Sequence, residues 1–99
     1  MSDRSSAQEM LQAVLAPLDG PMRGACVLSP RELKYMRDLL TRDQQAELDK
    51  LIPLVKQARQ SSDPGTEAEI FLIFEDLPMA TRPQMAGIVL TTLATQGSL

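Results

Sequence analysis

The sequence predicts an all-α fold, a compact bundle of four to five short helices. Six serine or threonine residues are each followed three positions later by Glu or Gln and then by an apolar run. This is the pattern of a helix start, in which the hydroxyl accepts a hydrogen bond from a first-turn N–H and the Glu or Gln bonds back to the capping residue. The pairs indicate five helix starts. They are Ser5/Gln8, Ser6/Glu9, Ser29/Glu32, Thr41/Gln44, Thr66/Glu69 and Thr81/Gln84.

The composition agrees with one small helical domain covering residues 1–99. Hydrophobic residues make up 43% of the chain and charged residues 23%, which are ordinary values for a globular domain. Aromatic residues make up only 3%, so the core has to be built from aliphatic side chains and from the six methionines. We expect Met10, Met36 and Met85 to face that core, where flexible thioethers fill gaps.

The first two helices have clear boundaries in the sequence. Apolar residues recur at helical spacing over residues 7–16, and Pro17 ends this first helix. The second helix has the fullest set of start signals. Ser29 is its predicted N-cap, Pro30 occupies the first helical position where no N–H is needed, and Glu32 closes the capping box.

A third helix is predicted from Arg42 to about Gln60, with Thr41 as its N-cap. Pro53 lies within this segment. Because proline has no N–H and its ring crowds the preceding turn, the hydrogen bond to the carbonyl of Asp49 is lost. We therefore expect a kink or a break at Pro53.

Residues 61–65 are dense in turn-forming residues, and they predict an internal linker between the third and fourth helices. The fourth helix should then span residues 67–77. Its N-cap is either Thr66 or Asp63, since Asp63 is followed by a proline that suits the first helical position.

The fifth helix is predicted over residues 82–95, with Thr81 as its N-cap. An α+β alternative stays open, because the short apolar runs 70–74 and 88–92 cannot be distinguished from buried strands by periodicity. Residues 25–28 would then supply the third strand. Three short strands make a marginal sheet, and the capping pairs point to helices, so the all-α fold is preferred.

The residue content argues against an enzyme and against a bound metal or cofactor. The chain has no histidine, which is the commonest general base and metal ligand. Its single cysteine, Cys26, has no imidazole to activate it and lies between Ala25 and Val27, so we expect an inert, buried thiol. Glu75 and Asp76 are adjacent on a predicted helix and point about 100° apart, so they do not form a facing catalytic pair.

The charge and the hydropathy pattern bear on partners and location. The net charge is −3 and the pI is about 4.8, which opposes binding to phosphate backbones and to anionic membranes. The longest bulky apolar run, residues 70–74, is far shorter than a membrane-spanning helix, and the first residues lack the apolar stretch of a signal peptide. We therefore expect a soluble cytoplasmic protein.

The fourth helix carries the candidate functional surface. It is apolar nearly all round, which is typical of a helix that is central in its fold or buried against another chain. The sequence therefore predicts a small non-catalytic protein–protein interaction module, such as an adaptor, an assembly factor or an inhibitor, with self-association as one form of that activity. The candidate interface residues are Phe71, Leu72, Phe74 and Leu77.

The alternative function is a helix-turn-helix-like regulator that contacts nucleic acid through the basic residues of segment 31–59. Against it, the predicted turn is the single residue Thr41, whereas helix-turn-helix motifs use three or four residues and often a glycine. Nucleic acid is therefore the less favoured partner. The candidate contacts are Arg31, Lys34, Arg37, Arg42 and Lys50.

Overall fold

A computed structural model describes residues 3–16 and 28–96, and it confirms the all-α fold. Every regular element in these residues is a helix. The runs 70–74 and 88–92 are both helical, so the α+β alternative is wrong for them, and of residues 25–28 only Leu28 is described, outside any strand. The helices are α1 (Asp3–Leu15), α2 (Pro30–Asp38), α3 (Arg42–Ser61), α4 (Pro64–Asp76) and α5 (Thr81–Thr95).

Two predicted N-caps are confirmed by their hydrogen bonds. The Ser29 hydroxyl accepts a 3.2 Å bond from the Glu32 N–H at the start of α2. The predicted capping box is not closed there, because the Glu32 carboxylate accepts a 2.9 Å bond from the Ser29 hydroxyl and not from its N–H. At the start of α3 the capping box is complete, because Thr41 Oγ1 accepts from the Gln44 N–H at 3.1 Å and Gln44 Oε1 accepts from the Thr41 N–H at 3.0 Å. These bonds involve residues three apart, so the local sequence is sufficient to specify them.

The predicted cap of α1 needs correction, while for α4 one of the two predicted caps is confirmed. Ser5 and Ser6 lie inside α1, which is already helical at Asp3. For α4 the N-cap is Asp63, whose Oδ1 accepts a 3.1 Å bond from the Gly65 N–H. Thr66 is helical and instead donates its hydroxyl to Asp63 Oδ2 at 3.0 Å. A Ser or Thr that is followed three residues later by Glu or Gln can therefore lie in the first turn of a helix as well as at its N-cap.

Thr81 is not the N-cap of α5 but its first residue. The cap position is Ala80, which is already in the right-handed helical conformation and makes no side-chain cap bond. The first-turn N–H groups bond instead to the backbone of the preceding turn. The Thr81 N–H donates to the Pro78 carbonyl at 2.9 Å, and the Arg82 N–H donates to the Met79 carbonyl at 3.3 Å.

Helix α3 continues through Pro53, so of the expected kink or break the break does not occur. The side chains on both sides of the proline are firmly buried, including Leu51 and Val55, while Pro53 itself is exposed. Burial of a full apolar stripe outweighs the loss of one backbone hydrogen bond. After Ser61 only residues 62–63 separate α3 from α4, a shorter connection than the predicted linker 61–65.

Helix α5 is the central element of the described bundle. It packs against α1, α2 and α3, while α4 packs against α1 and α3 on the outer side. Met85 is buried in this core, and Met10 and Met36 are partly buried against it, as expected. The sequence left open whether α4 is central or buried against another chain, and in the bundle one face of α4 is exposed. The buried residues of α5 are Arg82, Met85, Ala86, Ile88, Val89, Leu90, Thr91 and Leu93.

Candidate interaction surface on helix α4

The outward face of α4 presents one large apolar side chain, that of Leu72. Ile70 and Phe74 are both fully buried and anchor α4 to the core. Residues two positions apart on a helix point about 160° away from each other, so Leu72, which lies two positions from each of them, has to face outward. Its side chain is 56% exposed.

Two grooves flank Leu72, one on each side of α4. The groove between α3 and α4 has a volume of about 430 Å³. It is lined by Lys50, Pro53, Leu54, Glu69, Leu72 and Ile73. The groove between α1 and α4 has a volume of about 530 Å³. It is lined by Gln8, Leu11, Pro64, Glu67, Ala68, Phe71 and Leu72. Leu72 is the ridge shared by both, and we call the residues of the two grooves together the Leu72 surface.

The floor of this surface is apolar and the charges lie at its rim. Leu54, Phe71 and Ile73 are half-buried and pack onto the core from below. Lys50 and Glu69 are exposed at the edge of the α3–α4 groove. Lys50 makes a 3.8 Å ion pair with Glu47 on its own helix. A pair this exposed is weak and leaves the lysine free to reorient.

Helix α4 is strongly acidic. Segment 64–76 contains no lysine or arginine. On a helix, positions three and four residues away lie beside a given residue, so the neighbours of Leu72 on the outward face include Glu69, Glu75 and Asp76. Glu69 and Asp76 are exposed and Glu75 is half-buried. The acids of α4 are Glu67, Glu69, Glu75 and Asp76.

The structure separates the four interface residues predicted from the sequence. Leu72 is exposed and Phe71 lies half-buried in the α1–α4 groove. Phe74 and Leu77 are buried inside the bundle and are not accessible to a partner. The contributions from neighbouring helices, above all Pro53 of α3, were missed. A proline inside an amphipathic helix was the one sequence signal for that contribution.

The five candidate nucleic-acid contacts are all exposed on α2 and α3, but they do not form a basic patch. Segment 30–50 carries as many acids as bases, and the two are interspersed. The connection between the two helices is residues 39–41, so the turn has three residues rather than the predicted one. The five bases are Arg31, Lys34, Arg37, Arg42 and Lys50.

Two other arginines have structural hydrogen bonds. Arg59 Nη1 donates to the carbonyls of Val14 and Ala16, both at 2.8 Å, and so satisfies the C-terminal end of α1. Burial lowers the pKa of the Arg59 guanidinium from its ordinary value. Arg82 is 1% exposed and donates to the carbonyls of Leu77 at 3.1 Å and Glu75 at 2.9 Å. By sequence, Arg59 is one of the basic residues of segment 31–59, and the structure bonds it to the end of α1.

Residues 3–16 and 28–96 hold neither a metal-binding cluster nor a membrane-spanning helix. Within these residues, no group of three or more His, Cys, Asp or Glu side chains is placed to hold a metal ion. Across the same part of the chain, no helix is both long enough and apolar enough to cross a membrane. The predicted inert thiol, Cys26, lies outside the described residues.

The sequence and the structure were compared with known proteins. No protein-family model matches the chain, and no significant match was found among curated proteins or solved structures. Function therefore has to be inferred from the geometry of the chain itself.

Proposed function

We propose that this chain is a small non-catalytic protein–protein interaction module, acting as an adaptor, an assembly factor or an inhibitor, and that it binds its partner through the Leu72 surface. The observation that carries this proposal is a leucine 56% exposed between two apolar grooves. A contiguous apolar patch with a charged rim is the usual anatomy of a protein-binding site.

The polar groups around Leu72 favour binding over catalysis. The acids of α4 are spread along a convex helix face, whereas catalytic groups need to converge on one substrate atom within a cleft. The chain also has no histidine to serve as a general base. We place this activity in the cytoplasm, because disulfides are rare in that compartment and the single cysteine of this chain cannot form an internal one.

Affinity capture with two matched variants tests the proposal. Leu72→Asp places a charge in the apolar surface, and Leu39→Asp makes the same change at a leucine 55% exposed after α2. A specific partner should be captured by the wild-type protein and by Leu39→Asp, and lost with Leu72→Asp. The proposal fails if no captured protein depends on Leu72, or if both variants lose the partner equally.

The second candidate function is a regulator that contacts nucleic acid. The three-residue turn between α2 and α3 favours it, because this is the connection length of helix-turn-helix motifs. The equal number of acids and bases in segment 30–50 opposes it. Salt-dependent binding to duplex DNA that is lost with Arg31→Ala and Arg42→Ala would favour this function, as would a captured partner that disappears on nuclease treatment.

A further inference from the structure

We propose that the occupant of the Leu72 surface is a basic amphipathic helix from a different protein, and not a second copy of this chain. This inference rests on the proposed function and adds the chemistry of the partner. It is drawn from the distribution of charge around the ridge and from the shape of the two grooves.

The charge around Leu72 selects for a basic partner. Helix α4 carries four acids and no base, and two of the acids, Glu69 and Asp76, are exposed beside Leu72. Among the described residues, Lys50 is the one base that lines either groove, and its exposed ion pair with Glu47 on its own helix is weak. A partner with lysine or arginine at its rim therefore meets an exposed carboxylate toward each end of α4, Glu69 on one side of Leu72 and Asp76 on the other. Rim charges of this kind act mainly on the association rate and on the choice of partner.

The same distribution disfavours pairing between two copies of α4. Glu67 and Glu69 lie in the first half of the helix, and Glu75 and Asp76 lie at its end. In a parallel pair each acidic end faces its equivalent, and in an antiparallel pair the two acidic ends face each other. Like charges are therefore opposed in both orientations, and this opposes a symmetric dimer through the Leu72 surface.

A second exposed apolar stripe among the described residues is not complementary to α4 either. Tyr35 and Leu39 are both exposed and lie on one side of α2. Their neighbours on that side, by helical spacing, are Arg31, Glu32 and Asp38, which are two acids against one base. A head-to-tail contact between α2 of one copy and α4 of the next therefore gains little electrostatic attraction.

The shape of the surface fits a helix. A ridge with an apolar groove on each side accepts side chains that recur every three to four residues along a partner helix. Helix α4 has 13 residues. At a rise of 1.5 Å per residue it is about 20 Å long, so a partner helix of about four turns covers it. The partner's leucines would straddle Leu72, and its basic residues would lie over Glu69 and Asp76.

A pair of model peptides tests the inference directly. Both are amphipathic helices of about 16 residues with leucine at the same positions, three or four apart, and they differ only in having lysine or glutamate beside the leucine stripe. Binding to the full chain is followed by calorimetry and by the methyl resonances of Leu72. We expect the lysine peptide to bind at least about tenfold more tightly than the glutamate peptide, with an affinity that falls as salt is added.

Matched variants locate the binding site. Leu72→Asp should abolish binding of the lysine peptide, while Leu39→Asp should leave it unchanged. Glu69→Lys should weaken it several-fold, whereas Asp38→Lys, which changes the net charge by the same amount at an exposed residue of α2, should have little effect. Equal losses in the two lysine variants would show that net charge alone attracts the peptide, and would overturn the inference.

Other results also overturn the inference, and they can be told apart from a failure of the proposed function. Equal affinity for both peptides, no binding of either, or a dimer that Leu72→Asp dissociates in sedimentation would each exclude a basic helix as the occupant. The proposed function would survive these results if affinity capture still returned a partner that depends on Leu72. It would fail only if no such partner were found.

Discussion

The backbone N–H of Leu28 donates a 2.9 Å hydrogen bond to the side-chain oxygen Oγ1 of Thr91, which lies 63 residues further along the chain. Thr91 is buried in the central helix α5, and Leu28 directly precedes the N-cap of α2. This bond fixes the start of α2 against α5. It matters because α2 has no fully buried residue of its own and packs mainly on α5.

We predict that Thr91→Val destabilises the protein. Valine has the same shape but no acceptor, so the partly buried Leu28 N–H loses its partner, at a cost of about 1–3 kcal/mol. Urea unfolding measures the loss, and faster amide exchange at Leu28 locates it. Thr92→Val is the control, because the Thr92 hydroxyl only bonds back to the Ile88 carbonyl on its own helix. A larger loss for Thr92→Val would contradict this account of the bond.

Two substitutions in α4 should differ strongly in how much they lower the free energy of unfolding. Phe74→Ala leaves a cavity in the core and should cost about 3–5 kcal/mol, enough to unfold much of a domain of this size. Leu72→Asp acts at an exposed position and should cost only about 1 kcal/mol, from the lower helix propensity of aspartate and its repulsion by the neighbouring acids. Thermal melts and light scattering measure both. Equal destabilisation by the two variants would mean that α4 is covered on both faces.

Loss of the Arg59 guanidinium should loosen the end of α1. Arg59→Met keeps the apolar stem but removes the two 2.8 Å bonds to Val14 and Ala16, so we expect a loss of about 1–3 kcal/mol in urea unfolding. Lys56→Met, at an exposed cation of the same helix, is the control and should stay within about 0.5 kcal/mol of the wild type. Similar losses in both variants would indicate a general charge effect.

A single glycine should stabilise the connection between α3 and α4. Ser62 ends α3 in the left-handed conformation with φ of 51°, and its N–H donates to the Ala58 carbonyl. An L-residue other than glycine adopts this conformation at a cost of roughly 1–2 kcal/mol. Ser62→Gly should therefore raise the midpoint of urea unfolding, and Ser62→Val should lower it. A lower midpoint for Ser62→Gly would mean that the serine side chain stabilises the turn.

Local sequence was sufficient wherever the determining interaction spans one helical turn. The N-cap bond of Ser29 and the capping box at Thr41 join residues three apart, and the outward direction of Leu72 follows from the period of the helix that buries Ile70 and Phe74. Local sequence did not identify the N-cap at two positions. Thr66 carries the same short pattern but lies in the first turn of its helix, and before Thr81 the preceding turn supplies the backbone bonds.

Only the tertiary structure decided which helix is central and which atoms meet across the bundle. Helices α4 and α5 are both rich in apolar residues, and the choice of α5 for the centre depends on how all the helices share a limited core. That choice buries Phe74 and Leu77, leaves Leu72 open, and forms the two grooves beside it from residues of α1 and α3. The bonds of Arg59 to Val14 and of Leu28 to Thr91 connect residues 45 and 63 positions apart. Residues so distant meet only after the chain has folded, and no pattern within one turn specifies them.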